Sequence, residues 1–79
     1  GYINVASIIT GEEPVEACDN VNVTFTLLSA PVAGTVKVYY SGSRLRPGAG
    51  NDYTISGQVV TMFVAPRSTG WIAFDYIAQ

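Results

Sequence analysis

Between Val21 and Leu27 the chain alternates strictly, with Val21, Val23, Phe25 and Leu27 at odd positions and Asn22, Thr24 and Thr26 between them. A period of two sends successive side chains to opposite faces, so this segment predicts a half-buried strand and not a helix. The pattern recurs. Residues 35–40 set Val36, Val38 and Tyr40 against Thr35, Lys37 and Tyr39, and residues 71–77 place Ile72, Phe74 and Tyr76 on one face. Turn-forming stretches separate these runs: SAPVAG at 29–34, Ser41-Gly42-Ser43, PGAGN at 47–51, Ser56-Gly57, and residues 65–70. Arg44-Leu45-Arg46 returns from the Ser41 turn until Pro47 stops pairing. Residues 52–64 predict a tight hairpin about Ser56-Gly57, with Tyr53 and Ile55 plugging the core. Residues 59–64 are apolar on both faces, as a covered central strand would be. No window combines helical periodicity with a cap and a stop. The expectation is an all-β fold: a small β-sandwich, Ig-like or jelly-roll-like, of about five to seven antiparallel strands. Residues 1–10 read as an N-terminal extended arm or edge strand, and 11–79 as the sandwich domain.

Size then limits how such a sandwich holds together. A chain of 79 residues buries only about 60–65% of the surface it exposes when unfolded, so its own core is small. Cys18 is the only cysteine and there is no histidine, which removes an intrachain disulfide and the common zinc spacings. With 48% apolar and 13% charged residues, apolar side chains remain that one small core cannot hide, and this predicts assembly into a homo-oligomer, a trimer among the options. The same composition excludes a disordered chain. A pI near 4.6 argues against nucleic acid as a partner, and no run approaches the length of apolar sequence that spans a membrane. The opening Gly1-Tyr2-Ile3-Asn4 shows no basic stretch ahead of an apolar run, so no signal peptide is expected in it.

Little in the chain suits catalysis. Without histidine there is no Ser-His-Asp triad, and Cys18 has no imidazole to activate it. Cys18 stands beside Asp19, an anionic setting that raises a thiol pKa, and reads as a small apolar filler. Glu12, Glu13, Glu16 and Asp19 cluster in the acidic stretch 11–20. Paired acids can cleave glycosides, but they need a cleft between them, and the Ca²⁺-loop spacing is absent. No cofactor and no metal are expected. Asn22-Val23-Thr24 fits a glycosylation sequon, and equally supplies the polar face of its strand.

Charge is uneven along the chain. Residues 1–36 carry four acids and no cation (−4), while 37–79 carry Lys37, Arg44, Arg46 and Arg67 against Asp52 and Asp75 (4 − 2 = +2). Such halves can pair between subunits head to tail, or simply be solvated loops. Tyr39, on the polar face of its strand, and Trp71, after the last loop, are candidates to stack on a sugar or anchor an interface; packing beneath loops is the competing reading.

Read together, several stretches resemble a small β-sandwich module found in virion proteins of tailed bacteriophages. They are an E-x-P opening at 12–14, TFTL at 24–27, PVAGTVKV at 31–38, GSRL at 42–45, NDYTISG at 51–57 and the closing Asp75-Tyr76. The match runs over residues 11–78. It departs where the hairpin reads Ser41-Gly42-Ser43 in place of an Asn-Gly turn, and at Ala17-Cys18. The resemblance implies a non-enzymatic virion structural protein on the capsid surface or tail, partnered by the major capsid protein or tail proteins. A capsid decoration (cement) protein is the first expectation. A receptor- or glycan-binding module of a tail fibre or baseplate is the alternative. In the first, the arm from Tyr2 to Thr10, with Tyr2, Ile3 and Val5, adds a strand to a neighbour, and Arg44, Arg46 and Arg67 meet acidic groups of the partner. In the second, Tyr39 and Trp71 stand in an exposed site, and Lys37 is a further interaction candidate.

Overall fold

The computed structural model describes residues 7–79. Seven strands follow one another: β1 (Ser7–Glu12), β2 (Thr24–Thr26), β3 (Lys37–Tyr40), β4 (Ser43–Arg44), β5 (Tyr53–Ser56), β6 (Val59–Met62) and β7 (Ile72–Ala78). They form a four-stranded sheet in the order β1-β7-β3-β4 and a three-stranded sheet in the order β2-β6-β5. Every strand pair is antiparallel, and no helix occurs among the described residues. The fold is the small β-sandwich expected from the alternation.

Its core lies between the sheets. Val38 and the even positions of β7 (Ile72, Phe74, Tyr76, Ala78) meet Phe25, Leu27, Tyr53, Val60 and Met62 from the other sheet. At roughly 1.5–3 kcal/mol for each large apolar side chain removed from water, these ten positions supply the main drive to fold. Leu45, Val36, Val23, Ile9 and Cys18 pack around them.

Both hairpins use two-residue turns whose twist suits the strands. Tyr40 pairs with Ser43, so Ser41 and Gly42 form the turn, at φ 48 and 91. Two positive φ values mark type I′, which Asn-Gly would fit and which Ser41 occupies at some steric cost. In the second hairpin Ser56 pairs with Val59, so the turn residues are Gly57 and Gln58, one position later than the sequence suggested. Only Gly57 (φ 58) is left-handed there, the pattern of type II′.

Three further expectations are corrected. β2 is shorter than its alternating segment, because Asp19 accepts hydrogen bonds from the amides of Val21 and Asn22 and holds a turn where the strand would begin; Val21 is exposed. β6 is central in its sheet but covered on one face only, so Val60 and Met62 are buried while Val59, Phe63 and Val64 meet solvent. Ile55 does not plug the core: it shares a face with Val60, yet β5 is an edge strand and Ile55 stays 38% exposed. The acidic stretch also begins inside a strand, since Gly11 and Glu12 close β1 around a bulge.

Candidate interaction surface

The outward face of the four-stranded sheet is fixed by parity. With Val38 and Phe74 in the core, Lys37 and Tyr39 of β3 and Ala73, Asp75 and Ile77 of β7 point the other way. Register then sets neighbours: Arg44 beside Tyr39, Tyr39 beside Ala73, Lys37 beside Asp75, and Ile8 beside Ile77. Three residues singled out in the sequence, Lys37, Tyr39 and Arg44, therefore share one face. Lys37 and Asp75, of opposite charge, are register partners on this face.

The remaining candidates lie elsewhere. Arg46 follows β4 on the strap to β5, where its carbonyl accepts the amides of Asp52 (2.9 Å) and Tyr53 (3.3 Å). Arg67 sits in the loop before β7, its amide donating to the Tyr40 hydroxyl at 3.1 Å. Trp71 precedes β7, is half exposed, and lines a shallow groove with residues 13–18. Tyr2, Ile3 and Val5, with most of the proposed arm, lie outside the described residues.

The acidic residues have a different role from a cleft. Glu16 Oε1 accepts the Thr26 amide at 3.0 Å and its Oε2 the Thr26 hydroxyl at 2.7 Å. Glu12 Oε2 accepts the Leu28 amide at 3.0 Å, and its Oε1 accepts the Tyr76 hydroxyl at 2.8 Å. Asp52 takes the Arg46 amide at 2.8 Å, and Asp75 takes the Gly11 amide at 2.8 Å inside the β1 bulge. With the Asp19 turn, five of the six acids hold loop or edge amides; Glu13 is the exception among the described residues. Charge-assisted bonds of this kind are stronger than neutral ones.

Those bonds set the titration behaviour. Burial opposes the charge on Glu16, but the Thr26 hydroxyl and amide outweigh it and hold its carboxyl below the ordinary value. The Asn22 and Val21 amides hold Asp19 below its own. A lowered folded-state pKa adds stability that is complete above the unfolded value and drains as pH falls through the folded one. Reference values of 4.5 for Glu16 and 3.8 for Asp19 place that loss below about pH 4. With no histidine, unfolding free energy measured in urea should be flat from about pH 5 to 8 and fall below about pH 4. A midpoint that moves between pH 5 and 7 would contradict this. Burial and then the Asp19 charge push the Cys18 thiol up, which keeps it protonated and unreactive near neutrality.

One groove was not foreseen. Tyr40, Leu45, Met62, Phe63 and Arg67 line a hollow of about 230 Å³ with Asn51 and Asp52 at its rim. Ligand pockets usually occupy about 300–1,000 Å³, so it suits a single ring or a short side chain. Tyr40 lies so close over Gly70 that a Cβ there would meet its Oη at 2.6 Å and Cζ at 2.7 Å. The only sequence sign of this groove was an aromatic residue, Phe63, at a position that alternation sends outward. Among the described residues no group of acids and Cys18 is placed to hold a metal ion.

No family model matches the chain, and comparison with curated proteins and with solved structures gives no match either.

Proposed function

We propose that the chain is a non-enzymatic structural module of a tailed-phage virion, a capsid decoration protein that binds the coat shell through the outer face of its four-stranded sheet. The grouping of Tyr39, Arg44 and Lys37 on that face carries the reading. Tyrosine and arginine are the residue types that most often anchor interfaces, and the virion context comes from the motif resemblance. The engagement of Glu12, Glu16, Asp19, Asp52 and Asp75 with backbone amides supports a structural role for the acids over acid–base work. Repetition over a symmetric shell lets weak individual contacts suffice.

A variant carrying Tyr39→Ala and Arg44→Glu should bind undecorated capsids at least about tenfold more weakly in co-sedimentation while unfolding at the wild-type temperature. Equal binding by the folded variant would remove this face from the account. A second reading, glycan recognition by a tail module, draws on the half-exposed Phe63 beside Asp52 and Arg67 in the groove. Saccharide-dependent NMR shifts confined to residues 62–67 would favour it.

A further inference from the structure

A sandwich of two open sheets has four edges, and an open edge is a template for another strand. Two of the four are closed here and a third is half covered. On β2 the odd positions bond to β6, as the bonds from Leu27 N to Gln58 O and from Met62 N to Val23 O show, so the even positions face outward. Those outward groups are taken by side chains: Asn22 holds both the amide and the carbonyl of Thr24, Glu16 the amide of Thr26, and Glu12 the amide of Leu28. On β5 the strap from β4 covers the Tyr53 end, with Arg46 O accepting Tyr53 N and Gly48 N donating to Tyr53 O at 2.7 Å, and leaves Ile55, next to the hairpin turn, as the one β5 residue facing outward. β4 is two residues long and ends in Arg44, a short charged edge of the kind that resists pairing.

β1 is different. In β7, Ile77 bonds toward the β3 side, its carbonyl accepting Val32 N at 2.7 Å and its amide donating to Thr35 Oγ1 at 3.1 Å. Ile77 is the register partner of Ile8. Partners in an antiparallel ladder alternate between bonded and non-bonded pairs, so Ile8 does not bond to β7 and its own N–H and C=O point to the free edge. No side chain or loop among the described residues bonds to them. The stretch Ser7-Ile8-Ile9-Thr10 is uncharged, and the Ile8 side chain is 76% exposed.

We infer that the β1 edge is a self-pairing surface, occupied by β1 of a second copy running antiparallel across a two-fold axis. The two-fold favours a second copy for a geometric reason. An axis normal to the sheet keeps each face on its own side, so outward residues of β1 oppose outward residues of the other β1. Ile8 then meets its symmetry mate or Thr10, apolar or β-branched against the same, with no charge brought to the seam. The two four-stranded sheets become one continuous eight-stranded sheet. The virion reading is not needed for this, since the pairing concerns the isolated chain.

The test is sedimentation equilibrium on the full chain. The wild type is expected to be a concentration-dependent dimer. Ile8→Pro deletes an outward amide and the exposed seam side chain without removing a bond to β7, and should weaken dimerisation at least about tenfold while leaving the circular dichroism and unfolding midpoint near wild type. Should Ile8→Pro fail to fold, Ile8→Lys places a charge at the seam and should also yield monomer. A monomeric wild type at high micromolar concentration would overturn the inference. So would a dimer that persists in a folded Ile8→Pro or Ile8→Lys variant.

Discussion

Phe74→Ala should lower the unfolding midpoint by about 15 °C or more, leaving a substantial unfolded fraction at physiological temperature. Phe74 is fully buried and stands at the middle of β7, where the strand pairs with β1 on one side and with Val38 of β3 on the other. Removing a buried phenylalanine ring costs about 3–5 kcal/mol, because the cavity it leaves collapses only in part. A domain this small holds roughly 4–12 kcal/mol in all, and each kcal/mol moves its midpoint by about 4–8 °C. Val64→Ala is the control, since Val64 is exposed and the change should stay within about 0.5 kcal/mol. Equal midpoints for the two variants would place the core elsewhere.

The second large effect is expected at Glu12. This carboxylate joins three elements: it belongs to β1, accepts the buried Tyr76 hydroxyl of β7, and accepts the Leu28 amide beyond β2. Burial and the Glu12 carboxylate push the Tyr76 hydroxyl up in pKa, as expected of a donor held in an enclosed bond. Glu12→Ala leaves that hydroxyl without its acceptor and hands the exposed Leu28 amide to water, at a cost of about 1–3 kcal/mol. Tyr76→Phe removes the donor but keeps the ring, and should cost about 1–2 kcal/mol, since the Ser29 amide also loses its acceptor. The double variant should cost clearly less than the sum of the two, because both singles break one shared bond. Additive losses in urea unfolding would show that the bond contributes nothing.

The sequence made the strands legible where one face is buried. At β7 the alternation Ile72, Phe74, Tyr76 names the core positions directly, since apolar period and burial coincide. It misled where burial ends before the pattern does. Val21 and Val64 continue the apolar runs of β2 and β6, yet Val21 lies in the Asp19 turn and Val64 beyond the end of β6, and both stay exposed. Ile55 failed for a related reason: alternation reports which face a residue takes, and not whether its strand is at an edge. The acidic stretch was harder. Four acids in eight residues look like a patch, whereas two of them reach amides distant in sequence, Glu12 to Leu28 and Glu16 to Thr26. No local signal encodes those partners, although Asp19, three residues before Asn22, is a recognisable side-chain turn.

The candidate surface was half legible. Tyr39 and Lys37 were assigned outward by period two, and Arg44 joins them only because a two-residue turn sets the β3–β4 register. Arg46, Arg67 and Trp71 are separated from that face because register and loop path, which composition does not reveal, carry them elsewhere. The open edge of β1 was foreshadowed by the reading of residues 1–10 as an arm or edge strand. Which backbone groups face outward required the bonding partners of Ile77.

The proposed virion role is tested most directly by counting copies of this chain in phage particles purified from its source, using quantitative mass spectrometry against the major coat protein. The account predicts about one chain per coat subunit or a simple fraction of that, hundreds in all, as symmetric decoration of a shell requires. Absence of its peptides from the particle would contradict the assignment, and a handful of copies would contradict decoration and favour the tail.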